Sequence, residues 1–123
     1  MLGSSPIVAF VATTDPSRAK AFYRDVLGLL LISEDEYALV FDAHGTMLRV
    51  AIVRDIVLAP YTVLGWQVAD IDATVRGLVA KGVTFERYPW MEQRDLAIWS
   101  APSGAKVAWF KDRDGNLLSV TQH

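Results

Sequence analysis

Two helix signatures stand in a chain that otherwise reads as strand, and their order narrows the possible folds more than any other feature. Asp15 can cap a helix, Pro16 suits its first position, and Gly28 follows its end. Between them Ala19, Phe22, Tyr23, Val26 and Leu27 recur at spacings of three and four, one apolar face of a helix. The second helix is expected from Asp70 to Gly82, with Lys81 near its negative end. Ile71, Val75, Leu78 and Val79 make its expected buried stripe.

The remaining apolar runs are strands. Ile7–Thr13 precedes the first helix, and Leu29–Ser33 follows it. Tyr37–Asp42 and Met47–Arg54 flank the turn Ala43-His44-Gly45-Thr46. In the second half Tyr61–Val68 precedes the helix and Val83–Arg87 follows it. Ala97–Ser100 and Ala105–Phe110 flank Ala101-Pro102-Ser103-Gly104, and Leu117–Gln122 comes last. The pattern is βαβββ twice, an α+β arrangement. A shift of 55 residues lays Val8 on Val63 and Asp15 on Asp70, although the halves share little residue identity. The modules span about residues 6–56 and 61–123, with Val57–Pro60 between them. Each is small for a core of its own, so the two are expected to share a single domain over 1–123.

Composition removes several function classes. Of 123 residues 52% are hydrophobic, which excludes intrinsic disorder, and there is no cysteine for a disulfide, a thiolate metal site or a thiol nucleophile. Twelve basic and fourteen acidic residues are interspersed, leaving no footprint for nucleic acid. The longest uncharged stretches, Met1–Thr14 and Ile56–Ala69, are too short to span a membrane. Met1–Thr14 also lacks a basic leader region, so a soluble cytoplasmic protein is expected.

Three motifs in order resemble the vicinal oxygen chelate superfamily, which includes glyoxalase I, extradiol dioxygenases and the bleomycin and fosfomycin resistance proteins. They are Asp15 with Ala21-Phe22-Tyr23 and Val26-Leu27-Gly28-Leu29, then Val68-Ala69-Asp70-Ile71-Asp72-Ala73, then Phe110-Lys111-Asp112-Arg113-Asp114-Gly115-Asn116. Arg113 stands where the family usually has proline. The resemblance implies two modules curled into one open, U-shaped sheet around a cavity. It also implies four metal-ligand positions, which fall on Val8, at or next to Arg49, on Val63 and on Ser119. None of these side chains suits a divalent metal, and no neighbouring position offers His, Glu or Asp. No metal or other cofactor is therefore expected.

The expected cavity takes Val8, Phe10, Met47 and Arg49 from the first module. From the second it takes Val63, Trp66, Trp90, Met91, Trp99 and Ser119. Alternation puts Met47, Arg49 and Ala51 on one face, where a guanidinium can grip a carboxylate or phosphate, or else form a structural ion pair. The tryptophans suit flat or cationic ligands, and equally a core or a dimer contact. Tyr88–Gln93 reads as a loop, either a lid or a subunit contact. Asp112–Asn116 lacks the spacing of a calcium loop and reads as a hairpin turn, and Glu34-Asp35-Glu36 reads as a solvated turn.

The leading expectation is a metal-free protein of the bleomycin-resistance type that binds a small organic ligand and acts as a homodimer. The alternatives are a glyoxalase-like lyase, isomerase or dioxygenase relative, with a non-standard metal site or an acid–base pair such as Tyr37 and Asp42, and a regulatory protein whose cavity is filled.

Overall fold

The structure is a computed structural model that describes residues 1–123. Its chain forms two compact units, Met1–Val57 and Leu58–His123.

In the first unit, β1 (Val8–Thr13) leads into α1 (Pro16–Lys20), which continues as a π-helical turn over Ala21–Val26. The strands β2 (Leu30–Glu34), β3 (Ala38–Ala43) and β4 (Thr46–Ile52) complete a four-stranded sheet of order β1-β4-β3-β2. β1 and β4 run parallel and the other pairs antiparallel. Asp15 caps α1 by accepting the Arg18 N–H at 3.2 Å. The expected regular helix widens instead, as the Leu27 N–H reaches back to the Phe22 carbonyl at 2.9 Å. Widening lets the consecutive Phe22 and Tyr23 both turn inward, each 1% exposed. Their rings meet edge-on at 5.3 Å, and Tyr23 rests on Phe41 of β3. One sheet face, with Val11, Leu39, Phe41, Leu48 and Val50, is therefore buried beneath the helix.

The β3–β4 hairpin turns through His44 (φ 50°) and Gly45 (φ 90°), the left-handed pair of a tight two-residue loop. Histidine is accepted there, but asparagine before glycine is the pair this turn prefers. His44→Asn should raise stability by about 0.5 kcal/mol, read as a higher urea midpoint at unchanged slope.

In the second unit β5 (Leu64–Gln67), α2 (Ile71–Ala80), β6 (Trp99–Ser100), β7 (Lys106–Lys111) and β8 (Leu117–Gln122) give the order β5-β8-β7-β6. Asp70 caps α2 through the Ala73 N–H, and the Gln122 side chain accepts the Ile71 N–H at 2.9 Å. Ile71 and Val75 are buried, but Val79 is 50% exposed. It lies some 80° round the helix from Ile71, at the edge of the expected stripe.

Val83–Arg87 is not a strand: only Phe85 bridges Phe110, and the Glu86 N–H reaches the Trp109 carbonyl at 2.7 Å. Ala97–Ser100 shortens to Trp99–Ser100, because Leu96 (φ 64°) and Ala97 (φ 57°) break the extended run. Both segments compete for one edge of β7. Phe85 and Glu86 take the Trp109–Phe110 end, while β6 takes Lys106–Val107. The second unit thus also has three strands after its helix, as a βαβββ module requires.

Asp112 closes the β7–β8 hairpin. Its Oδ1 accepts the Asp114 and Asn116 N–H groups at 3.0 and 2.9 Å, and its Oδ2 accepts the Asn116 side-chain amide at 2.8 Å. The carboxylate organises the turn, as the hairpin reading expected.

Candidate ligand-binding site

Alternation along β7 and β8 sorts the second unit into a packed face and an open one. Leu118, Val120, Ala108 and Phe110 are buried on the packed side. Trp66 pairs with Val120 and stacks against Phe110, centroids 6.5 Å apart at 22°. It therefore belongs to the packed side, in contrast to its expected place in the cavity. The open side carries Gly65, Ser119 and Trp109 across three strands in register, with Trp99 and Val107 beside them.

Four rings form a continuous chain on and beside this open face. Trp99 lies 6.0 Å from Trp109, Tyr88 meets Trp109 edge-on at 5.9 Å, and Trp90 follows at 5.0 Å from Tyr88. The Trp109 indole N–H donates to the Thr62 hydroxyl at 3.1 Å, which fixes the ring plane. A concavity of about 300 Å³ opens here, between Trp109, Tyr88, Trp90 and Met91 on one side and Pro60, Tyr61 and Leu117 on the other. Trp90 is 76% exposed at the tip of its loop. Burial, with help from the Glu86 carboxylate, pushes the Tyr88 phenol up, so it stays neutral at physiological pH.

The loop is pinned from below by one amide. The Gln93 side-chain NH₂ donates to the Glu86 and Ala97 carbonyls at 2.9 and 2.8 Å, and its oxygen accepts the Tyr88 N–H at 2.8 Å. Arg87 adds bonds to the Gln93 and Arg94 carbonyls. Gln93→Leu removes all three amide bonds at similar volume and should cost about 1–3 kcal/mol in a denaturation experiment. The same change should increase amide exchange at Tyr88.

Ser119 is 7% exposed and faces Gly65, where a Cβ would stand 2.7 Å from its hydroxyl. Val63 donates its N–H to Leu117 at the end of the same strand pair, and its side chain is partly exposed.

The first unit has an open face of its own. Val8 pairs with Met47 and Phe10 with Arg49, all on the side opposite the packed Leu48 and Val50. Arg49 is half-buried and its guanidinium makes no hydrogen bond or ion pair. Tyr37 and Asp42 stand five positions apart along extended chain, about 16 Å, so they form no acid–base pair. Glu34 pairs with Lys20 at 2.6 Å. Asp35 caps the Tyr37 and Ala38 N–H groups, which hold its carboxyl below the usual range.

Residues 6–120 match the Glyoxalase/Bleomycin resistance protein/Dioxygenase superfamily. The chain belongs to this superfamily. Solved structures share its glyoxalase-type fold at low sequence identity. TioX from Micromonospora sp. ML1 is 21% identical, with 98% of this chain and 99% of that one covered and a TM-score of 0.74. A superfamily member from Sphaerobacter thermophilus is 20% identical over 98% of each chain, TM-score 0.76. Lactoylglutathione lyase from Agrobacterium tumefaciens is 19% identical over 97% of this chain and 93% of that one, TM-score 0.74. No curated protein matches the sequence.

The superfamily's metal does not fit the residues at its expected positions in this glyoxalase-type chain. Val8 and Val63 have no donor atom, the Arg49 guanidinium presents N–H donors and no lone pair for a metal, and Ser119 offers a single hydroxyl. No group of three or more His, Cys, Asp or Glu side chains is placed so that it could hold a metal ion. No helix is long and apolar enough to cross a membrane.

The expected site omits Trp109, Tyr88 and Tyr61, of which Trp109 is central. Its signal is phase: Ala108 and Phe110 are the packed residues of β7, and Trp109 falls between them opposite Ser119.

Proposed function

We propose that this protein binds and holds a small, flat organic molecule without a metal, against the aromatic face of its second unit. The observation that carries this reading is the ring chain Trp99–Trp109–Tyr88–Trp90 beside an open concavity of about 300 Å³. That volume is at the lower end of small-molecule sites, and such rings favour offset or edge-on contact with another π-system. Pinning by Gln93 reduces the ordering cost of the Tyr88–Trp90 wall on binding. The protein then acts by sequestration, one ligand per site, as bleomycin-resistance proteins do.

Acridine is a suitable planar probe. Its titration should quench tryptophan fluorescence saturably, and Trp109→Leu should weaken binding about tenfold, the worth of one good aromatic contact. Recovery of the probe unchanged after long incubation is expected. Consumption of a bound compound over many turnovers would replace this reading with an enzymatic one.

Cytoplasmic residence and a homodimeric state belong to the same proposal. The exposed Leu2, Ile7 and Val57 support the dimer, because apolar side chains of this size favour a partner surface. A monomeric mass by light scattering at micromolar concentration would count against it.

A further inference from the structure

The first unit holds a charge that the aromatic site does not use. β4 sets Arg49 in the middle of the sheet face turned away from α1, with Phe10 and Val40 as its cross-strand neighbours. Met47 and Ala51 flank it along its own strand. A half-buried guanidinium among apolar side chains ordinarily has a direct ion-pair partner, and this one has only the longer-range attraction of Asp35. Asp42, two positions along β3 from Val40, and Asp35 both have their carboxylates bonded to backbone N–H groups. Asp42 accepts the Gly45 N–H at 3.1 Å, and Asp35 accepts those of Tyr37 and Ala38 at 2.7 and 2.9 Å. Two of its neighbours on this face, Val40 across the strand and Met47 along it, line a concavity of about 310 Å³ that Leu30, Ile32 and Asp42 also wall.

We propose that this face binds an apolar monocarboxylate, a different site and ligand class from the aromatic groove. The carboxylate takes the guanidinium in a planar two-bond grip, which supplies the direct counter-charge that the protein does not. The hydrocarbon body lies along Val40, Met47 and Ile32, covering apolar surface now open to water. Arg49 is the one cation on this face, so a single negative charge is matched and a dianion is not. Asp42 lines the far end of the concavity and repels a second carboxylate there.

Calorimetric titration of the whole protein with decanoate, decan-1-ol and decanedioate tests the assignment. Decanoate should bind at one per chain and more tightly than either of the others. Arg49→Met should weaken decanoate at least about tenfold, the worth of a charged hydrogen bond, and leave decan-1-ol unchanged. Arg49→Lys, which keeps the charge but not the fork, should fall between. Trp109→Leu should leave decanoate affinity intact, so failure of the aromatic reading is separable from failure here. Equal affinity for acid and alcohol, no binding of decanoate, or no effect of Arg49→Met overturns the proposal. Loss of decanoate binding in Trp109→Leu would move the acid to the other unit and overturn it equally. A mass that falls from dimer to monomer in Arg49→Met, without decanoate binding to the wild type, would give the face to a second copy of the chain.

Discussion

Phe110→Ala is expected to cost about 3–5 kcal/mol, the largest loss from a single substitution in the second unit. Phe110 is fully buried, stacks on Trp66 and packs against Phe85 at 5.3 Å. It also makes the one backbone bridge that ties the Val83–Arg87 segment to β7. Alanine leaves a void that two other rings border, and neither can fill it without giving up its own contacts. The loss should appear as a lower urea midpoint and as a red-shifted emission from Trp66. The comparison with Trp109→Leu is informative, because Trp109 is the next residue along the same strand but faces the open side. Trp109→Leu should cost far less stability and far more acridine affinity. A Phe110→Ala protein within about 1 kcal/mol of wild type would mean that the packed side relaxes around the gap.

Asp112→Ala should destabilise the protein by about 2–4 kcal/mol, since three donors lose their acceptor at once and the Asn116 amide is left buried. Asp112→Asn should fall between the two, because its oxygen can still accept the backbone N–H groups while its own NH₂ opposes that of Asn116. The damage should reach the ligand site, since this hairpin carries both Trp109 and Ser119. Thermal unfolding measures the first effect and acridine titration the second. Calcium should shift neither, as the carboxylate is committed to the turn. A Tm increase with calcium would contradict that.

The helices and turns were legible because their signals are local. Asp15, Asp70 and Gly28 act within a few residues of their own positions, and the βαβββ order follows from them. Strand competition was not. Val83–Arg87 has good strand composition, but a strand needs a free edge, and β7 has only one to divide between it and Trp99–Ser100. The open faces were half legible. Val8, Phe10, Met47 and Arg49 share a face as alternation requires. Trp66 was misplaced for want of its pairing partner: once Trp66 lies beside Val120, it must share the packed side. The π-helical turn has no comparable sequence mark, since it arises from two adjacent aromatics that both find room beneath one helix.

The parallel pairs β1–β4 and β5–β8 set the order in which the chain can assemble. Neither first strand gains its partner until a helix and two further strands have been laid down, so both units depend on contacts distant in sequence. The second unit has the longer closure, because the stretch from Val83 to Ile98 adds chain while contributing little ladder. Loop-closure entropy rises with that length, and folding slows with sequence separation. The first sheet should therefore gain protection against hydrogen exchange earlier during refolding, as pulse-labelling would read. β5 should be the last strand protected, since both its pairing and the Ile71–Gln122 tie wait for β8.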